Sequence, residues 1–417
     1  MASAPDSVLV VGAGIIGIAC AHYLSRAGFS VSVIDQGRVG GGCSHGNCGH
    51  ICASHVLPMT DPAALREGLM SLVRRDAPFK VRPQWRVAML WWLLQFARRC
   101  TRRRMLEAAR HQQAILESSR REYGALVDAG EIDGEWRGDG LLYVLQSPKG
   151  MAAFAAMDAM LSDEFGVAAR RLEGEQLRGF DPALRTGLAG AFHYAGDASV
   201  RPDVLVSEWA AALRDRGVRF EENRRLTAVR TRSGAVVSME TDRGPVDADH
   251  YVIATGAWSA RLASTFGAAL PLEPGKGYSL TMSSPAECPK HPMLFPEHRV
   301  GVTPFRDGFR LGSMLELCGF DASIPRRRIA QLVASASHYL VEPEGAEVRE
   351  TWSGWRPITW DSLPVIGRMP SFRNVVLATG HHMLGMTMAP ATGRLVAEII
   401  GERTPHIDPA PFSPGRF

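Results

Sequence analysis

Strand-like and helix-like patterns alternate closely along the start of the chain. Residues 8–11 are continuously apolar, as a strand covered on both faces requires. Residues 18–27 repeat their apolar side chains at a helical period, and residues 30–34 read as a second strand that ends at Asp35. From residue 61 to about residue 131 the spacing predicts mostly helix. Pro148 and Pro202 stand where a first helical turn tolerates proline. They predict helices to about residue 165 and over 203–216, the second closed by Gly217. Short strands are predicted at 140–146, which holds Tyr143, and at 218–220, 226–231, 235–240 and 248–253. Others follow at 278–281, 299–303, 308–312 and 375–379. The chain closes with residues 382–388 and an amphipathic helix to about residue 400, ended by Gly401.

The link between the first two strands carries the clearest chemistry. Gly12, Gly14 and Gly17 have GxGxxG spacing. The first glycine suits a tight turn, the second lets backbone approach a pyrophosphate, and the third lets helix pack on strand. Asp35 can accept hydrogen bonds from a ribose, and the helix start supplies N–H groups to phosphates. Strand, glycines, helix, strand and acid in this order predict a bound dinucleotide. Residues 40–50, dense in glycine and small polar side chains, follow directly and suit a backbone wrapped around a ligand. Two later strands end in the same Ala-Thr-Gly turn, at Gly256 and at Gly380. The nucleotide-binding domain is therefore expected to be Rossmann-like and assembled from separated segments in a mixed α/β chain.

Composition narrows the picture. At 417 residues, two or three lobes are expected. A net charge of +4 gives no general attraction to nucleic acid, so no nucleic-acid partner is expected. Residues 1–7 do not read as a signal peptide, and no apolar run is long enough to span a membrane. Seven cysteines without such a leader read as reduced thiols in the cytoplasm. Cys43, Cys48 and Cys52 lack CxxC spacing, so no metal site is expected. Trp85, Trp91 and Trp92 precede five arginines within residues 98–104. That stretch fits equally an interfacial helix on the inner membrane face and a core-packed helix with a solvated basic end.

Taken together, the ordered segments resemble the FAD-dependent D-amino acid oxidase superfamily, most closely its bacterial D-amino acid dehydrogenases. The matching pieces are Gly12-Ala-Gly14-Ile-Ile-Gly17 with Asp35, Cys43-Ser44 through Asn47-Cys48-Gly49, and Lys276-Gly-Tyr278-Ser-Leu-Thr281. The others are Gly354-Trp-Arg356-Pro, Asp361-Ser-Leu-Pro364-Val-Ile-Gly367 and Thr379-Gly380-His-His-Met-Leu-Gly385. Trp360, Cys48 and His50 depart from the family pattern. These departures and Met388-Ala-Pro-Ala-Thr-Gly393 look more like dehydrogenases of cyclic imino acids such as D-hydroxyproline.

The resemblance implies one FAD, and no second dinucleotide fingerprint is visible for a separate nicotinamide. It implies cofactor contacts from Gly12, Gly14, Ile16, Gly17, Asp35 and Gln36, and from Ser44, Asn47 and Gly49. Leu226, Thr255, Gly256, Gly380, Leu384, Gly385 and Thr387 complete the set. Residues 1–60, 197–270 and 350–417 are then the FAD domain. Residues 61–196 and 271–349 are a β-sheet substrate domain with a helical excursion.

Flavin-dependent amine oxidation needs the substrate's Cα–H directed at flavin N5, and the substrate is best oriented through its carboxylate. A planar bidentate donor suits that task, and Arg356, in an apolar-aromatic stretch, is the candidate. Tyr278 is expected at the same end of the substrate, with His50 nearby. His381 and His382 read as pocket-lining or structural. Trp352, Trp355 and Trp360 are expected to give the pocket an apolar wall. A helix start at residues 383–387 can stabilise negative charge on reduced flavin. The expected activity is dehydrogenation of a D-amino acid or cyclic D-imino acid. A sarcosine-type oxidase using dioxygen and a non-catalytic flavin-binding subunit remain open. So does the electron acceptor, a quinone or a partner subunit.

Overall fold

The structure, a computed structural model, describes residues 5–65, 68, 79–82, 86–266 and 270–417. Part of the predicted helical stretch, and Trp85 with it, lies outside the described residues.

A six-stranded sheet runs, in spatial order, Val365–Arg368, Val375–Thr379, His250–Ile253, Ser7–Val11, Ser30–Ile34 and Arg219–Glu221. It is parallel except at the antiparallel edge Val365–Arg368. The apolar run of residues 8–11 lies at its centre, buried on both faces. One face is covered by the first helix, Ile15–Arg26, and the last, Gly385–Ile400. Gly393 lets these two helices approach: a Cβ there would lie 2.4 Å from the Ala19 carbonyl oxygen. The other face packs on a small antiparallel sheet of Leu226–Arg232, Ala235–Thr241 and Gly244–Val246.

The second, nine-stranded sheet is built around Leu272–Met282, flanked by Val348–Thr359 on one side and Gly308–Leu317 on the other. Val300–Phe305, Met293–Phe295, Leu141–Leu145, Gly190–Tyr194 and Arg170–Leu172 continue it, and Phe79–Val81 pairs on Gly308–Leu317. Alternation decides its two faces. Tyr278, Leu280, Met282, Phe309 and Leu311 join a core closed by Leu332 and Ala336 of the helix Arg326–Ala336. The opposite face carries Gly277, Arg310, Gly312 and Arg356 and turns toward the first sheet.

Two of the expected boundaries move. Val348–Thr359 pairs with Leu272–Met282 from Met282↔Val348 to Leu272↔Thr359. Residues 350–359 therefore belong with the second sheet, and the break falls after Thr359 instead of at 350. The helical excursion also divides. The long helix Arg102–Asp128 sends Ile115, Leu116, Tyr123 and Leu126 into the core of the nucleotide side. Tyr123 donates its hydroxyl to the Met386 carbonyl at 2.7 Å.

The helix Val87–Ala97 packs Met89 and Trp92 against Leu315, Leu317 and Ile358 of the second sheet. Trp92 donates its indole N–H to the Pro271 carbonyl at 2.9 Å. The helix has a core side, as one sequence reading required, and an exposed apolar side as well. Among the described residues, no helix is long and apolar enough to cross a membrane.

Candidate active site

The glycine turn has the geometry its spacing implies. Gly12 has φ +110°, and a Cβ there would lie 2.5 Å from the Ala254 carbonyl oxygen. A Cβ on Gly17 would lie 1.8 Å from the Gly12 carbonyl oxygen, so the helix rests on the turn. Gly14 differs: within 4 Å its Cβ would meet only Ser44 Oγ, at 3.4 Å. Its bare side therefore opens onto ligand space. Ile15, first in the helix, donates its N–H to Ser44 Oγ at 3.0 Å. The Asp35 carboxylate accepts N–H groups from Ala13 at 2.7 Å and Gly37 at 2.8 Å. Being only half-buried, it keeps lone pairs for a ribose. Gln36 follows, exposed. Gly256, with φ +54°, has open space beside it, and Thr379 donates to its carbonyl at 2.9 Å. Thr255 Oγ1 bonds Ser259 Oγ at 2.9 Å, and Gly380 turns with φ +75° against Thr359. An open glycine edge, a helix N-terminus and an acid at the next strand's end fit the adenosine diphosphate half of FAD.

Three of the expected cofactor residues have different occupations. Leu226 is buried in one core, and Ile16, partly exposed, packs against another. Thr387 accepts the Cys52 N–H at 3.1 Å and donates to the His50 carbonyl at 3.3 Å. Fully buried, its hydroxyl pins the short strand His50–Ile51 to the last helix. Leu384 and Gly385 do stand at that helix's N-terminus.

The loop of residues 40–50 is held from both sides. Gly40 donates its N–H to the Ala13 carbonyl at 2.8 Å. Asn47 Oδ1 accepts the Gly49 N–H at 2.7 Å and shapes the turn. From the second sheet, buried Arg310 donates to the carbonyls of His45 at 2.9 Å and Asn47 at 2.8 Å, and Thr303 donates to Cys48. Trp352 lies against Gly46, where a Cβ would come within 2.1 Å of the indole. Arg310 was not anticipated. The available signal was a lone charge inside the β-patterned run 308–312. His50 donates Nε2–H to the Val302 carbonyl at 3.1 Å, and burial lowers its pKa to about 4. It is neutral at physiological pH.

Arg356 lies on the face of the second sheet that meets this loop. Gly277 makes its space: a Cβ there would fall 2.2 Å from Nη1. Nη1 donates to the Met314 carbonyl at 2.8 Å. Among the described residues, no carboxylate forms an ion pair with it. Its charge reaches the Cys43 and Cys48 thiols, opposing the burial that raises their pKa values.

Tyr278 is not brought to Arg356. It projects from the opposite face, 1% exposed, and donates its hydroxyl to Glu316 at 2.6 Å. Residues one apart on a strand point to opposite faces, and Gly277 occupies the Arg356 side. Of the three tryptophans, only Trp352 shares that side. Trp355 packs with Trp258 and Phe320, while Trp360 meets Phe417 and Arg99. His381 bonds Thr392 Oγ1 at 3.0 Å, and burial lowers its pKa to about 3. His382, with φ +53°, accepts the Thr359 N–H at 3.3 Å and is lowered by burial to about 4. Both are buried neutral groups.

A largely parallel sheet with a dinucleotide-type glycine turn, and a second sheet presenting an arginine that no carboxylate among the described residues pairs, are the architecture of a flavin-dependent oxidoreductase. The sequence profile of the FAD dependent oxidoreductase family matches residues 7–399, and the chain belongs to this family. D-amino acid dehydrogenase of Vibrio vulnificus is 30% identical over 410 residues, 95% of this chain and 96% of that protein. The enzyme of that name from Neisseria meningitidis is 31% identical, covering 98% of this chain and 99% of its own. Among solved structures, glycine oxidase from Geobacillus kaustophilus superposes with a TM-score of 0.76 at 24% identity, covering 99% of each chain. L-proline dehydrogenase from P. horikoshii gives 0.75 at 18% identity, covering 99% of this chain and 98% of that one.

Proposed function

We propose that this enzyme dehydrogenates a D-amino acid, with compact cyclic imino acids such as D-proline or hydroxy-D-proline preferred. The observation that carries this reading is Arg356, a guanidinium without an acidic partner among the described residues, on the sheet face that meets the residue 43–50 loop. A substrate carboxylate is its natural partner, bound bidentately. Bound FAD would supply the two-electron acceptor for the substrate's Cα hydride; the substrate amine, left with a C=N bond, would release its proton. Neutral His50 lines the same side and places no second cation beside the substrate amine. A primary amine gives an imine that hydrolyses to an oxo acid and ammonia; a ring amine gives a pyrroline carboxylate. The D-amino acid dehydrogenases among the relatives support the substrate class.

Ring preference rests on the Arg356 face itself. Trp352 shares it and lies against Gly46 of the residue 43–50 loop. A ring amine holds amine and carboxylate in one relation and loses little entropy on binding. Desolvating a long charged side chain against such a surface is costly. Anaerobic bleaching of the FAD-loaded enzyme across D- and L-amino acids and cyclic imino acids tests this. D-proline or hydroxy-D-proline is expected to reduce the flavin faster than D-lysine or D-glutamate. The reverse order overturns the ring preference, and flavin that no amino acid bleaches overturns the activity. Stoichiometric peroxide under air would instead identify an oxidase.

A further inference from the structure

The helix Val87–Ala97 has an outer face that nothing among the described residues covers. Val87 is 83% exposed, Leu90 54%, Trp91 52% and Leu94 44%. Their spacing of three, four and seven residues puts them on one side of the helix, and Arg98 extends the same stripe. Met89 and Trp92, on the opposite side, are buried. Large apolar side chains at this exposure, in register and adjoining, mark a contact surface.

Charge identifies the occupant. Six arginines and no acidic residue lie between positions 86 and 104, and Arg98, Arg102, Arg103 and Arg104 are all exposed. A second copy meeting this face about a twofold axis would bring two arginine-rich rims together with no carboxylate from the segment between them. An anionic lipid surface supplies the complementary charge over the whole rim and an apolar layer for the four side chains. The helix has only 11 residues, so it lies along such a surface and does not cross it.

We propose that Val87–Ala97, with the arginines that follow it, docks this enzyme on an anionic lipid bilayer. The inner side of the helix rests on Ile358, two residues along the strand from Arg356. Docking therefore sets the substrate sheet beside the bilayer, within reach of an acceptor dissolved there.

The test uses the FAD-loaded full chain and sedimentation with vesicles of equal parts phosphatidylglycerol and phosphatidylcholine, against phosphatidylcholine alone. The enzyme is expected to pellet with the anionic vesicles and to release as salt is raised. The triple variant Leu90→Ser, Trp91→Ser, Leu94→Ser is expected to partition at least about 1,000-fold more weakly, at about tenfold or more for each large side chain lost. The double variant Arg98→Gln, Arg103→Gln is expected to lose about 25-fold, about fivefold per arginine. Both variants should reduce a soluble dye at the parent rate, which separates this proposal from the assigned reaction. Equal binding to neutral vesicles, variants that bind like the parent, or no binding at low salt overturns it. So does a parent dimer in sedimentation velocity that the triple variant splits.

Discussion

At the scale of single residues, the two faces of one sheet separate two roles that the sequence places together. Arg356→Lys keeps the charge but loses the planar fork, and a pair of charge-assisted hydrogen bonds contributes about 1.5–3 kcal/mol each. The variant is expected to lose about 100-fold or more in kcat/KM with unchanged flavin content. Parent-like steady-state kinetics would remove Arg356 from the substrate. Tyr278→Phe should behave in the opposite way. Its hydroxyl meets Glu316, which also holds Arg328 at 2.8 Å, inside the sealed core. The expected loss is about 1–3 kcal/mol of stability, read by urea unfolding, with KM unchanged. The sequence singles out Arg356 because a charge in an apolar-aromatic strand demands a partner. Tyr278 was misplaced because residue type does not say which face a strand turns inward. Only pairing register settles that, and it comes from distant segments.

At the scale of elements, the glycine turn was the most legible part of the chain, since every step from strand to acid is local. The structure adds that its glycines serve unequal ends. Gly17→Ala would drive a Cβ into the Gly12 backbone and is expected to destabilise the protein by about 3 kcal/mol or more. Gly14→Ala meets only Ser44 Oγ and should change the stability of flavin-free protein by no more than about 1 kcal/mol. Its added methyl stands where the pyrophosphate approaches, so FAD affinity should fall about tenfold or more. Fluorescence titration of apoprotein with FAD, beside thermal melts, separates the two variants. The boundary at 350 was less legible. The strand Val348–Thr359 precedes nucleotide-side segments in the chain but finds its partner in Leu272–Met282.

At the scale of the whole molecule, buried neutral histidines tie stability to pH. His22, His50 and His382 are lowered to about 4 and His381 to about 3, chiefly by burial. Their folded values lie below the unfolded one, so unfolded chain takes up more protons as pH falls. The stabilisation is full above the usual histidine range and is lost downward to about pH 4. Asp197, raised by burial to about 6, has the opposite sign between the ordinary carboxylate range and that value. Four groups against one leave a net uptake of about three protons, or about 4 kcal/mol per pH unit as an upper figure. Melting temperature is therefore expected to drop steeply between about pH 6 and about pH 5, and a flat profile would contradict the burial. His381→Gln should remove about one proton from that slope.

The tethering of residues 43–50 bears on how this architecture can be re-engineered. By chain order the loop belongs with the first strands. Yet Arg310 and Thr303 grip three of its carbonyls, and Trp352 covers Gly46. A chimaera that imports a foreign sheet over residues 272–359 and keeps the native loop would break those tethers beside the glycine turn. The heritable module is thus two stretches far apart in the gene, and grafted specificities should survive only when both travel together.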